Sequence, residues 1–83
     1  MESGIYRHYK GDLYLVLGLA QHSETDEICV VYVSMNPDLP GPRMRVRPLD
    51  GPAGFRATVG PGDPGELRFK YVGDTPDGQI FSL

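Results

Sequence analysis

The chain has 83 residues, of which 40% are hydrophobic, 10% aromatic and 23% charged, and its formal net charge is −3. Its 11 glycines and 8 prolines exclude long helices, because these are the two poorest helix formers. The length allows one domain, 1–83, and the single Cys excludes an internal disulfide and a multi-cysteine zinc site.

The charges are distributed unevenly along the chain. Residues 43–49 carry three Arg and no acidic group, whereas the segments before and after them are net negative. An acidic chain disfavours non-specific binding along a nucleic-acid backbone, so the basic segment is the place to look for an anion site. The sequence has no apolar run of membrane-spanning length and no secretory leader pattern, and we expect a cytoplasmic protein.

Two strands joined by a tight turn are predicted first. Residues 5–9 alternate in polarity, and Lys10-Gly11-Asp12 is typical of a turn. Residues 13–20 follow, with four leucines on one face, and we expect this strand to be covered on both sides or curled. Gly18 permits a bulge, and pairing about Gly11-Asp12 predicts His8 opposite Leu15.

Further strands are predicted at intervals of roughly ten residues. In the fourth strand, the alternation predicts the Arg side chains in solvent and Met44 and Val46 in the core. Strands three to seven in chain order are predicted at 28–33, 43–47, 55–59, 66–72 and, as a short addition, 80–83.

This pattern of about six short strands predicts an all-β fold. A small antiparallel β-barrel, SH3-like or related, is favoured because closure removes the exposed edges that an open sheet leaves. The segment 60–65, Gly-Pro-Gly-Asp-Pro-Gly, is predicted to be a flexible loop.

Three blocks of residues resemble a known family. They are Gly4-Ile5-Tyr6-Arg7-His8-Tyr9-Lys10-Gly11, His22-Ser23-Glu24-Thr25 with Val30-Val31-Tyr32, and Val46-Arg47-Pro48-Leu49. In this order they are similar to the small bacterial family called domain of unknown function 1653. The resemblance covers about residues 4–49 and fades after Pro48. It implies a bacterial β-rich module and no reaction.

The polar residues of these blocks are the candidate ligand-binding residues. They are Arg7, His8, His22, Ser23, Glu24 and Arg47. Two other interpretations stay open: residues 22–25 are a hydrogen-bonded turn, and Arg43, Arg45 and Arg47 are a solvated strand face. Hairpin pairing alone does not bring His8 and His22 together.

No cofactor and no metal are predicted. Cys29 lies between Ile28 and Val30 and is expected to be a small buried hydrophobe. His22-Ser23-Glu24 lacks the Pro-Cys-x-x-Cys partner of a zinc deaminase, and no Gly-x-Ser-x-Gly elbow of a serine hydrolase is present.

Three functions are compatible with these residues. The first is a binding module for an anionic ligand, a nucleotide or a structured RNA, in which Arg neutralises charge, His and Ser donate hydrogen bonds and Tyr stacks. The second is a protein-interaction subunit that uses an exposed strand edge. The third is a small enzyme with His8 or His22 as acid–base group, and the sequence favours a binding protein over it. A second copy of the chain is compatible with so small a core.

Overall fold

The computed structural model describes residues 1–62 and 65–73, and the regular elements within these ranges are all strands. The all-β class is therefore confirmed. The strands are β1 (Gly4–His8), β2 (Leu13–Gln21), β3 (Ile28–Ser34), β4 (Met44–Pro48), β5 (Thr58–Val59), β6 (Glu66–Leu67) and β7 (Phe69–Gly73).

Five of the strands form one antiparallel sheet in the order β4-β3-β2-β1-β7, and β5 and β6 form a separate hairpin. Within the described residues, β4 and β7 are the two edges of the larger sheet, and no ladder joins them. The predicted closed barrel is therefore not found there. Since each strand from β1 to β4 pairs with its neighbour in sequence, short turns determine most of this topology.

A three-residue turn sets the register of β1 against β2. The His8 N–H donates to the Asp12 carbonyl at 2.8 Å, and the Gly11 N–H donates to the His8 carbonyl at 2.7 Å. Gly11 has φ 113°, a value that favours glycine. Leu15 consequently pairs with Ile5, and the predicted pairing of Leu15 with His8 is wrong. The turn is centred nearer Lys10 than the sequence suggested.

The bulge predicted at Gly18 is confirmed. The pairing of β2 with β3 shifts register between Val16 and Gly18. Before the shift Leu15 pairs with Val33, and after it Leu19 pairs with Val30. The bulge therefore breaks the predicted continuous leucine face into two parts that point to different sides of the sheet.

An aromatic core covers one side of the sheet, which we call the core face. Phe55 is 1% exposed in this core, although it lies in a turn and only Thr58–Val59 of the predicted strand 55–59 is extended. The buried cluster consists of Tyr6, Val16, Val30, Tyr32, Phe55 and Phe69, with Tyr14 and Leu49 packed against it. Burial of these large side chains is the main stabilising contribution available to so small a domain.

The predicted strand 66–72 is interrupted at Arg68. Its first part, β6, pairs with β5, and its second part, β7, pairs with β1. The Arg68 N–H donates to the Ala57 carbonyl, which fixes the corner between the two parts. The strand predicted at 80–83 lies outside the described residues, as do positions 63 and 64 of the predicted flexible loop.

The predicted orientation of β4 is wrong. Arg45 pairs with Tyr32 and Arg47 pairs with Val30, so both Arg side chains lie on the core face. Met44 and Val46 are on the opposite side and are 61% and 65% exposed. The long Arg stems cover the rims of the aromatic rings while their charged ends reach solvent.

Candidate functional site

The structure places the six predicted ligand-binding residues in three separate locations. His8 and Arg47 lie on the core face, at the ends of β1 and β4. Arg7 is exposed on the opposite side of the sheet, where it pairs with Leu13. The other three, His22, Ser23 and Glu24, are exposed in the loop between β2 and β3.

The hairpin loop between β2 and β3 is stabilised by its own hydrogen bonds. The His22 N–H donates to the Glu27 carbonyl at 2.8 Å. The His22 Nδ1 accepts the backbone N–H groups of Glu24 at 3.2 Å and Thr25 at 3.4 Å. These contacts fit the interpretation of residues 22–25 as a hydrogen-bonded turn.

A patch of rings and guanidinium groups forms the candidate site on the core face. We call it the cationic-aromatic surface. The His8 ring lies 4.9 Å from the Phe69 ring and 6.2 Å from the Tyr14 ring, both in edge geometry. The Arg47 Cζ lies 5.7 Å from the centroid of the Phe69 ring. The residues of this surface are His8, Tyr14, Arg45, Arg47, Arg68 and Phe69.

Backbone carbonyls hold the three Arg side chains of this surface. The Arg47 Nη1 donates to the Ala53 carbonyl at 2.8 Å, and the Arg68 Nη2 donates to the adjacent Pro52 carbonyl at 3.3 Å. Arg45 reaches the Pro40 carbonyl at 3.5 Å. The neighbouring carbonyls of Pro52 and Ala53 therefore hold the guanidinium groups of Arg68 and Arg47 close to each other.

None of these three Arg side chains forms an ion pair with a carboxylate among the described residues. The ion pairs found there are Arg56–Asp50 at 2.8 Å and Lys70–Glu66 at 3.9 Å. The Nε atoms of Arg45, Arg47 and Arg68 are buried and have no hydrogen-bond partner in the same part of the chain. Unpaired guanidinium groups keep their capacity for an external anion.

The positive charge of this surface acts on His8. Burial lowers the pKa of the His8 imidazole below its ordinary value of 6.5, and the charges of Arg47, Arg68 and Lys10 lower the pKa further, while Asp12 raises it. The His8 Nδ1 accepts the Lys10 N–H at 3.1 Å. We therefore assign the proton of the neutral ring to Nε2, which is then a donor at neutral pH.

An apolar cleft lies beside the cationic-aromatic surface. It has a volume of about 410 Å³, and Phe69 contributes to both features. Its wall includes Tyr6, whose hydroxyl donates to the Glu2 carbonyl at 2.7 Å. The other lining residues are Met1, Phe55, Arg56, Leu67 and Tyr71. A planar apolar group beside a phosphate would find a compatible environment there.

Cys29 is buried, as predicted. In the described part of the chain, no three His, Cys, Asp or Glu side chains lie close enough together to hold a metal ion. Residues 1–62 and 65–73 also contain no helix long and apolar enough to cross a membrane.

Sequence reasoning missed four residues of the cationic-aromatic surface. Arg45 belonged to the basic segment but was not selected, and Arg68 was placed in a continuous strand. Phe69 was interpreted only as a strand residue, and Tyr14 was not singled out among the five tyrosines available for stacking. No local signal predicts Arg68, because alternation along a continuous strand would place the side chains of Arg68 and Phe69 on opposite faces.

Comparison with known proteins identifies one family. The family model described as "Protein of unknown function (DUF1653)" matches residues 4–70, well past the predicted limit near residue 49. A crystal structure of a DUF1653 protein from Bordetella bronchiseptica is similar, with 44% identity and a TM-score of 0.78. The match covers 90% of this chain and 91% of that one. No curated protein matches the chain.

Proposed function

The chain belongs to the DUF1653 family of proteins of unknown function, and we propose that it is a binding module for a nucleotide, free or within RNA. The ligand binds at the cationic-aromatic surface. The observation that supports this proposal is the set of three Arg side chains that are held beside aromatic rings and have no carboxylate partner among the described residues.

Each part of the surface matches one part of a nucleotide. The guanidinium groups of Arg47 and Arg68 are planar forks that suit phosphate oxygens. The Nε2–H of His8 is a further donor. The Tyr14 ring and the apolar cleft suit the nucleobase, since stacking on aromatic rings tolerates every base.

The proposed site keeps two of the six predicted residues, His8 and Arg47. Arg7 lies on the other side of the sheet, and residues 22–24 lie in a separate hairpin, so they are not assigned to the same ligand contact. The overall charge of −3 favours a local contact with one or two phosphates over non-specific binding along a nucleic-acid backbone.

We further propose a partly closed, SH3-like arrangement of the sheet and a cytoplasmic, bacterial setting. The first is supported by the strand order, which places β7 beside β1, and by the bulge at Gly18. The second is supported by the single thiol and by the Bordetella relative.

Titration by NMR tests the proposal. The probes are adenosine, inorganic phosphate, adenosine monophosphate and a short single-stranded RNA, each added to the full chain. We expect adenosine monophosphate to shift the signals of His8, Arg45, Arg47 and Arg68, and not those of residues 22–25. A stronger response to the RNA indicates a site for RNA, and an equal response indicates a free nucleotide. Absence of localised shifts with all four probes contradicts the proposal.

A pair of substitutions at the two ends of the run Arg43-Met44-Arg45-Val46-Arg47 sharpens the test. Arg47→Gln removes a proposed phosphate contact and is expected to weaken binding about tenfold or more, since a charge-assisted hydrogen bond contributes about 1.5–3 kcal/mol. Arg43→Gln is the control, because Arg43 reaches the Ser34 and Pro37 carbonyls instead of the surface. Equal weakening by both substitutions indicates a general effect of charge and contradicts the site.

A second candidate function uses the edge of the sheet. The strand β4 pairs on one side only, with β3, within the described residues. A partner peptide can add to such an edge through backbone hydrogen bonds. The bonds Ser34 N–H to Arg43 and Leu49 N–H to Ile28 show that every second residue of this strand faces β3, so the Val46 N–H faces the open edge. If a partner adds there, Val46→Pro abolishes its capture more strongly than Val46→Ala does, because proline removes that backbone donor.

A further inference from the structure

An apolar patch lies on the side of the sheet opposite to the core face. Pairing places Leu15 beside Val33 and Val33 beside Met44, and it places Val31 beside Val46. We call these five residues together with Leu13 the outer patch. Loop 49–57 lies on the core face, where Phe55 is anchored, so this described loop does not cover the patch.

The outer patch has the size of the central part of a dimer interface. Leu15 is 36% exposed, Met44 61% and Val46 65%, and Leu17 in the adjoining bulge is 47% exposed. The six residues of the patch amount to roughly 400 Å² of exposed apolar surface, which is within the range of functional patches on small proteins. A standard interface buries about 800 Å² on each partner, with an apolar centre and a polar rim.

Opposite charges stand at the two ends of the outer patch. Arg7 and Lys70 pair across β1 and β7, so two positive side chains lie next to each other on this side of the sheet. The Glu66 carboxylate lies 3.9 Å from the Lys70 Nζ, whereas Arg7 has no ion-pair partner among the described residues. The basic pair is level with Leu13, at the start of β2.

The acidic end is the hairpin that follows Gln21, the last residue of β2. It carries three exposed carboxylates, Glu24, Asp26 and Glu27, none of which forms an ion pair with a described residue. The nine residues of β2 separate the acidic hairpin from the basic pair by about 27 Å at the rise of an extended strand.

We propose that a second copy of this chain packs on the outer patch and forms a symmetric dimer. A two-fold axis across the strands makes the two β2 strands antiparallel. That operation brings the basic pair of each copy to the same end of the interface as the acidic hairpin of the other copy. The same surface is therefore used by both partners, as in any two-fold interface. The two cationic-aromatic surfaces then face away from each other.

The oligomeric state of the full chain tests the proposal directly. Light scattering after size exclusion is expected to give a dimer for the native chain and a monomer for Val46→Glu and Met44→Glu, since each places a carboxylate in the apolar centre. Leu67→Glu is the control, because Leu67 is a comparably exposed apolar residue on the separate β5–β6 hairpin, and it is expected to remain dimeric. A monomeric native chain, or a dimer that survives both substitutions in β4, overturns the proposal.

Charge exchange tests the orientation. The double variants Arg7→Glu/Lys70→Glu and Glu24→Lys/Glu27→Lys each place like charges at both ends of the interface, and each is expected to be monomeric. Mixing them restores opposite charges at both ends, so a heterodimer is expected. Circular dichroism of each variant confirms that it folds. Two folded monomers that do not combine, or two variants that remain dimeric, overturn the antiparallel arrangement.

Discussion

Phe55 and Phe69 stack face to face, with ring centroids 3.9 Å apart and ring planes 3° from parallel. Phe55 comes from a turn, and Phe69 begins the edge strand β7. This contact ties loop 49–57 to the sheet. The same loop supplies the carbonyls that hold Arg47 and Arg68, so the stack also positions the cationic-aromatic surface.

Removing one ring of this stack is expected to destabilise the fold strongly. Phe55→Ala lowers the free energy of unfolding by about 3–5 kcal/mol, as large-to-small changes at buried aromatic positions do. Urea denaturation measures the change, and Phe55→Leu gives a smaller loss if the full truncation fails to fold. Leu67→Ala, at an exposed position, is the control and is expected to cost less than about 1 kcal/mol. Equal losses at the two positions contradict the role assigned to Phe55.

Gly54 is expected to tolerate no side chain. A Cβ there lies 2.5 Å from the Asp50 carbonyl carbon and 2.7 Å from its Cα, both backbone atoms that move only with the loop. Gly54→Ala is expected to lower the free energy of unfolding by about 3 kcal/mol, the upper end of overpacking costs. Gly60→Ala is the comparison, since Gly60 has φ 80° but open space around it, and backbone strain alone costs about 1 kcal/mol. Thermal melts that rank the two in the reverse order contradict the close approach.

Arg45 is expected to be replaceable by Met, though not by Ala, without loss of stability. Its Nε is buried without a hydrogen-bond partner in the described structure, and its stem lies beside Tyr32. Arg45→Met keeps the apolar stem and removes the unsatisfied donor, so it is expected to be neutral or to stabilise by about 1 kcal/mol. Arg45→Ala uncovers the ring and is expected to destabilise by a similar amount. Nucleotide binding is expected to weaken in both variants, and a destabilised Arg45→Met contradicts the prediction.

His8 is expected to make stability depend on pH. The pKa of its imidazole is lowered by burial and then by Arg47, Arg68 and Lys10, so the folded chain holds the proton less firmly than the unfolded chain. The unfolded chain therefore binds more protons as the pH falls through 6.5, and stability decreases from there towards the lower pKa of the folded state. Urea midpoints between pH 5 and pH 8 measure this decrease.

Two variants identify the source of the pH dependence. His8→Gln is expected to remove the His8 contribution to the decrease below pH 6.5. Arg47→Gln is expected to raise the His8 titration midpoint in NMR, because it removes a neighbouring positive charge. A midpoint above 6.5 in the native chain, or no response to Arg47→Gln, contradicts this explanation.

Local sequence signals predicted much of the fold because β1 to β4 pair with their neighbours in the chain. The turn at Gly11 and the bulge at Gly18 both follow from glycine positions and flanking strand residues. The register error arose because a turn centred on Lys10 and one centred between Gly11 and Asp12 have the same turn-forming residues. Only the observed hydrogen bond from His8 to Asp12 distinguishes them.

The orientation of β4 required information that strand alternation does not contain. Alternation separates Arg45 and Arg47 from Met44 and Val46 but does not say which set meets the aromatic rings. The answer depends on the side of the sheet that Phe55 covers, and Phe55 reaches it from a turn. The sequence therefore predicted two residues of the candidate site, His8 and Arg47. It did not predict Arg68, because the position of Arg68 depends on the break between β6 and β7.

The pairing of β1 with β7 has a consequence for the order in which the chain folds. Residues 4–48 form adjacent hairpins, whose contacts are close in sequence and form rapidly. The partner of Tyr6 in β7 is Tyr71, near the end of the described chain. During synthesis on a ribosome, β1 therefore stays an open edge until β7 emerges, and closing that long loop is the slow step. Truncation before residue 69 is expected to leave a nascent sheet prone to pair with other chains.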